Sequence, residues 1–85
     1  MYYEIKRWWT AYAGGGEDQR SLHTFMDCEP TDRTAQLRLE LGGIAQGNGN
    51  EELLAKVIGG SRKSKHGSFQ EWARLCLLWM ASHKG

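Results

Sequence analysis

The stretch Tyr2-Tyr-Glu-Ile-Lys-Arg-Trp-Trp-Thr-Ala-Tyr12 decides the fold class of this 85-residue chain, because a strand and a helix both fit it. Its aromatic and β-branched residues favour a strand. Strand alternation would place Tyr3, Ile5 and Trp9 on one face, which Arg7 interrupts. A helix fits as well, because apolar side chains recur at the spacing i, i + 3, i + 4 and i + 7. These four side chains are Ile5, Trp8, Trp9 and Tyr12.

The residues that follow favour the strand. Residues 14–19 are polar and rich in glycine, and residues 20–27 alternate again, with Leu22 and Met26 on the same side. Two alternating runs around a glycine-rich turn are typical of a β-hairpin. The sequence therefore predicts an N-terminal β-hairpin as the sheet component of an α+β fold.

Two helices are predicted in the middle of the chain. Residues 33–46 are rich in good helix formers and follow Thr31 and Asp32, so we expect a helix that ends near the pair at 42–43. A strand competes there, because leucines at 37, 39 and 41 alternate with charged residues. Farther on, Asn50 is a suitable N-cap for a short helix, and Gly59 is a suitable residue to end it.

The clearest element of the sequence is the last helix. Ser68 and Glu71 have the spacing of a capping box, which predicts a helix from Phe69 to Ser82. Its apolar side chains cover most of its circumference, so it is expected to lie centrally. The side chains expected in the core are Trp72, Leu75 and Trp79. The whole chain, 1–85, is then one small domain, a β-hairpin packed by two or three helices.

The charge of the chain is nearly balanced but unevenly distributed. Eleven basic and ten acidic residues give a net charge of +1, which speaks against a dedicated DNA-binding protein. Residues 61–85 nevertheless hold five basic residues and a single acidic one. The basic excess is concentrated in the run Ser61-Arg-Lys-Ser-Lys-His66, which we expect to be a loop.

Catalysis, metal binding and export are not indicated. The two cysteines, Cys28 and Cys76, are expected to be free thiols in a reducing compartment, and no secretory signal precedes them, so we expect the cytoplasm. No metal-ligand spacing or catalytic motif occurs around the three histidines. We therefore expect no enzyme activity, no metal and no cofactor.

Two segments are candidates for binding a partner. The basic run supplies Arg62, Lys63, Lys65 and His66, which could contact phosphate groups or an acidic protein patch, or could simply be solvated. The N-terminal stretch supplies Lys6, Arg7 and Trp8. Neighbouring side chains of a strand point to opposite faces. We therefore expect Trp9 to be buried and Trp8 to be an exposed anchor for a partner.

These features favour a non-enzymatic interaction protein that binds a larger protein or nucleoprotein complex and modifies or blocks it. Small proteins without catalytic motifs that act in this way are often inhibitors encoded by phages and other mobile elements. The alternative is a small nucleic-acid-binding protein that uses the 61–67 segment and the Lys6–Trp9 segment. Membrane binding is not expected, and the sequence leaves the oligomeric state open.

Overall fold

The computed structural model describes residues 2–13 and 17–83, and every regular element in these ranges is a helix. The helices are α1 (Tyr3–Ala11), α2 (Asp18–Cys28), α3 (Thr31–Ala45), α4 (Glu51–Ile58), α5 (Ser61–His66) and α6 (Phe69–Ser82). No strand occurs within the described ranges. The prediction of an α+β fold with an N-terminal β-hairpin is therefore wrong, and the observed fold is all-helical.

Both segments of the expected hairpin are helices because helical spacing buries their apolar side chains in one core. In α1, Ile5 and Trp8 are fully buried one turn apart, and in α2 the same spacing buries Leu22 and Phe25. The helical spacing of apolar side chains at i and i + 3, which also fitted the sequence, therefore places the buried side chains of both segments. The glycines of the expected turn, 14–16, lie outside the described residues.

The first turn of α1 is held by a side chain from another helix. The carboxylate of Glu40, on α3, accepts hydrogen bonds from the backbone N–H groups of Glu4 and Ile5, each at 3.1 Å. Tyr2 precedes the helix in the left-handed conformation, with φ 60° and ψ 38°. Its hydroxyl accepts a hydrogen bond of 2.7 Å from the backbone N–H of Asn50. The short helix α1 is thus positioned by contacts between residues that are 35 to 48 positions apart.

The three predicted helices are present, and two of their caps are the expected ones. Asn50 accepts a hydrogen bond from the N–H of Leu53, and Ser68 accepts one from the N–H of Glu71. The helix expected to stop near residue 42 continues to Ala45, because Ile44 is buried in the core beyond the two glycines. The competing strand over residues 37–41 is not formed.

Helix α6 is central, as predicted, and packs against α3, α2 and α5. Trp72 on α6 is fully buried, whereas Leu75 and Trp79 are only partly buried, so two of the three expected core residues lie at the edge of the core. The 61–66 segment is the short helix α5 instead of the expected loop, and it lies beside α6. No helix of the described residues has both the length and the apolar character needed to cross a bilayer.

Candidate functional site

Arg62, the first of the four candidate residues in the basic run, is a structural residue of the fold. Its guanidinium forms a two-point pair with Asp18 on α2, with Nη2–Oδ1 at 2.7 Å and Nε–Oδ2 at 2.9 Å. The same carboxylate accepts a hydrogen bond of 3.0 Å from Nε1 of the buried Trp72. Both charged side chains are only 13% exposed. Two-point pairs of this kind are among the strong, geometrically specific hydrogen-bonded contacts, so Arg62 joins α5 to α2 and α6.

The guanidinium of Arg62 also lies over the N-terminal tryptophans. Its central carbon is 4.6 Å from the ring centroid of Trp9 and 5.6 Å from that of Trp8, within the range of cation–π attraction. Trp8 is 1% exposed, and its Nε1 donates a hydrogen bond of 2.9 Å to Ser21. The expectation that Trp9 is buried and Trp8 exposed is therefore wrong, because the segment is a helix whose inward face contains Trp8.

The other two candidate residues of the N-terminal segment, Lys6 and Arg7, differ in their contacts. Lys6 is exposed on α1. Arg7 joins Arg33 in an ion-pair network with Glu4 and Glu29, with nitrogen–oxygen distances of 3.6 to 3.9 Å.

The network continues to Tyr12, whose hydroxyl donates a hydrogen bond to the Glu29 carboxylate. This bond, together with burial, raises the pKa of Tyr12 to about 12. The cluster fastens α1 to the end of α2 and the start of α3.

An open cleft of about 620 Å³ lies beside α5 and has two walls, which meet at the Asp18–Arg62 pair. We call it the α5 cleft. One wall is the start of α2, the other is α5, and α6 contributes the partly exposed ring of Trp79. Its lining residues are Glu17, Asp18, Gln19, Ser61, Arg62, Lys65, His66 and Trp79.

The walls of the α5 cleft carry opposite charges once the internal pair is set aside. Asp18 and Arg62 neutralise each other where the walls meet. The remaining charged or titratable groups are Lys65 and His66 on the α5 wall and Glu17 on the α2 wall. Within the described ranges, none of these three forms an ion pair.

Lys63, the remaining predicted site residue, points away from this arrangement. Its Nζ lies 2.8 Å from the carboxylate of Glu51 on α4, and both side chains are more than half exposed. A solvent-exposed pair of this kind contributes little to stability. The basic residues of this run therefore lie in three different settings. Arg62 pairs with Asp18 inside the fold, Lys63 forms a pair on the surface, and Lys65 and His66 line the α5 cleft.

The sequence did not indicate that Trp79, Glu17 and Gln19 contribute to a shared cleft. The apolar stripe of α6 assigned Trp79 to the core, and residues 17–19 were expected to form a turn. A second feature that was missed is the pair Tyr3 and Leu39, which are 75% and 71% exposed and line a smaller cleft at the start of α1. Their exposure follows from the helical phase of α1 and α3, and for Tyr3 the preferred strand interpretation obscured it.

The two thiols differ in accessibility, and neither is bonded to the other. Burial in the core raises the pKa of the Cys76 thiol far above its ordinary value, so it stays protonated and unreactive. Cys28 is exposed at the end of α2.

We expect iodoacetamide at pH 8 to alkylate Cys28 in the folded protein and to leave Cys76 unmodified. Intact-mass measurement should show one adduct under native conditions and two after denaturation in urea. The variant Cys28→Ser is the control and should show none until the protein is unfolded. Rapid native alkylation of Cys76 would contradict its burial.

Comparison with known proteins adds no assignment to this geometry. Within residues 2–13 and 17–83, no group of three or more His, Cys, Asp or Glu side chains is arranged to hold a metal ion. Searches against protein-family models, curated proteins and solved structures find no match to this chain.

Proposed function

We propose that this chain is a non-enzymatic binding module that docks on a larger protein, or on an assembly containing one, through the α5 cleft. The observation that carries the proposal is the partly exposed Trp79 ring set beside Lys65 and His66, between two walls. Tryptophan presents a large, rigid apolar surface with a polar edge, and it is enriched where protein interfaces concentrate their binding energy.

The charge distribution favours a protein partner over a nucleic acid. Affinity for nucleic acid comes largely from several basic side chains that neutralise phosphates together. Of the ten basic residues within 2–13 and 17–83, five already pair with carboxylates of the chain, namely Arg7, Arg33, Arg62, Lys63 and Arg74. Trp8, the side chain of the Lys6–Trp9 segment that was expected to be exposed, is buried. Glu17 also places a negative charge in the cleft wall.

The chemistry of the thiols supports a non-enzymatic role and a reducing compartment. Cys76 is unavailable as a nucleophile because it is buried and its pKa is raised. The two cysteines are not joined in a disulfide, which fits the cytoplasm that the sequence indicated. Modification or blocking of the partner would then result from occupancy of its surface.

Affinity capture with two matched charge reversals tests this function. Lys65→Glu changes the α5 cleft, and Lys56→Glu changes an exposed lysine of α4 outside it. Both variants should fold, because substitutions at exposed positions usually change stability by no more than about 0.5 kcal/mol. We expect wild type and Lys56→Glu to retain the same protein from a nuclease-treated lysate of the native cell, and Lys65→Glu to lose most of it.

Two outcomes would contradict the proposal. Equal retention by all three chains would remove the α5 cleft from the binding surface. Capture that occurs only from a lysate without nuclease treatment, and that falls steeply with salt, would instead identify a nucleic-acid partner, because phosphate contacts release counterions.

A further inference from the structure

We propose that the α5 cleft takes an acidic peptide segment of the partner, with a carboxylate on the α5 wall and an adjacent apolar side chain on Trp79. This inference rests on the proposed function, since it names the chemistry of what that cleft binds. The charged residues of the two walls and the partly exposed Trp79 between them support it.

The α5 wall supplies the attraction for a carboxylate. Lys65 is exposed, His66 is half-buried beside it, and neither is neutralised by a carboxylate within the described ranges. Arg62 keeps its charge next to them, but its Nε and Nη2 already donate to Asp18. An incoming carboxylate would therefore pair with Lys65 and His66 and leave the internal pair in place.

The α2 wall opposes the same ligand. Glu17 is exposed, lines the cleft and makes no side-chain capping bond to α2, so its charge is available to an occupant of the cleft. Like charges repel across a cleft. Glu17 should consequently weaken the binding of an acidic segment, while Lys65 strengthens it. Glu17 and Lys65, on the two walls of the cleft, thus have opposite expected effects on the same ligand, which a surface that binds no ligand would not produce.

The partly exposed ring of Trp79 sets the second requirement. An apolar side chain next to the acidic one would cover this ring and remove its apolar surface from water, which is favourable. The volume of about 620 Å³ is typical of pockets that hold a small ligand. It is thus suited to a few side chains of an extended segment, with an acidic side chain adjacent to an apolar one.

Titration of the ¹⁵N-labelled protein with short peptides tests the inference without the native partner. The probe is the blocked pentapeptide Asp-Glu-Phe-Asp-Glu, and the reporters are the Trp79 indole N–H and the amides of Lys65 and Gln19. We expect saturable shifts at these groups. Affinity should rise roughly two- to fivefold in Glu17→Gln and fall by a similar factor in Lys65→Glu, the range expected for one exposed charge. Lys56→Glu should match wild type.

The control ligands distinguish charge from aromatic contact and peptide from nucleic acid. Lys-Arg-Phe-Lys-Arg should bind more weakly than the acidic probe, and so should Asp-Glu-Gly-Asp-Glu. The absence of cleft shifts at millimolar probe, equal affinities of Glu17→Gln and Lys65→Glu, or stronger cleft shifts with oligo(dT) would each overturn the inference. Lysate capture that still depends on Lys65, beside a negative peptide titration, would refute the acidic ligand alone. Capture that is independent of Lys65 would refute the proposed function itself.

Discussion

Removing the carboxylate of Asp18 is expected to cost about 2–4 kcal/mol of unfolding free energy, because its ion pair is partly buried and deleting one partner of a fully buried pair costs about 3–5 kcal/mol. In Asp18→Ala, Arg62 would keep a charge that is only 13% exposed and lose both of its short hydrogen bonds. The indole N–H of Trp72 would lose its acceptor as well. Urea unfolding followed by circular dichroism measures the loss.

Two further variants make the Asp18 prediction specific. Glu51→Ala breaks the exposed pair with Lys63 and should change stability by about 0.5 kcal/mol or less, because surface pairs are worth little. Replacing both partners, as Asp18→Leu with Arg62→Met, should be less harmful than Asp18→Ala, since no unpaired charge remains. An Asp18→Ala variant as stable as Glu51→Ala would show that the pair does not hold the fold.

The second large effect is expected at Trp8. Trp8→Ala empties a site that is 1% exposed and should cost about 3–5 kcal/mol, the range for deleting a buried aromatic side chain. The Ser21 hydroxyl would add to the loss, because it accepts a hydrogen bond of 2.9 Å from the indole N–H and would keep only its bond to the Asp18 carbonyl. Domains of this size are stable by about 5–15 kcal/mol, so the variant is expected to be largely or partly unfolded at 37 °C.

The neighbouring tryptophan is the matched control for this prediction. Trp9 is partly exposed and contacts Arg62 through its ring face, so Trp9→Ala should cost clearly less than Trp8→Ala. Thermal unfolding of both variants, followed by circular dichroism, gives the comparison. A melting temperature that falls more in Trp9→Ala than in Trp8→Ala would contradict the helical phase of α1.

The sequence alone predicts the structural features that residues close together in the chain determine. The Asn50 and Ser68 caps act on N–H groups three residues later, so local patterns located α4 and α6 correctly. The N-terminal stretch fits two periods, and only the burial of Ile5 and Trp8 against other helices decides between them. The glycine-rich stretch that follows predicts a hairpin turn only when the segments on both sides of it are strands.

At the candidate site too, the local sequence of the basic run predicts only part of the structure. Its composition predicted a charged surface for all four residues, and that is what Lys63 and Lys65 form. The role of Arg62 depends on Asp18, which lies 44 positions earlier, and on the ring of Trp9. No local pattern predicts such a pairing. The cleft depends in turn on this pair, because it sets α5 against the start of α2.

The capping of α1 by Glu40 has a consequence for how the domain assembles. Isolated helices shorter than about 12–15 residues are marginal in water, and α1 has nine residues. Two of its N-terminal N–H groups find their acceptor on α3, so α1 gains that support only after α3 has formed and docked. Helix α1 should therefore behave as a dependent unit, whose amide protons exchange with solvent no more slowly than those of the α3 core. A peptide of residues 1–13 alone should be largely unstructured, and Glu40→Ala should speed exchange in α1 before it affects α6.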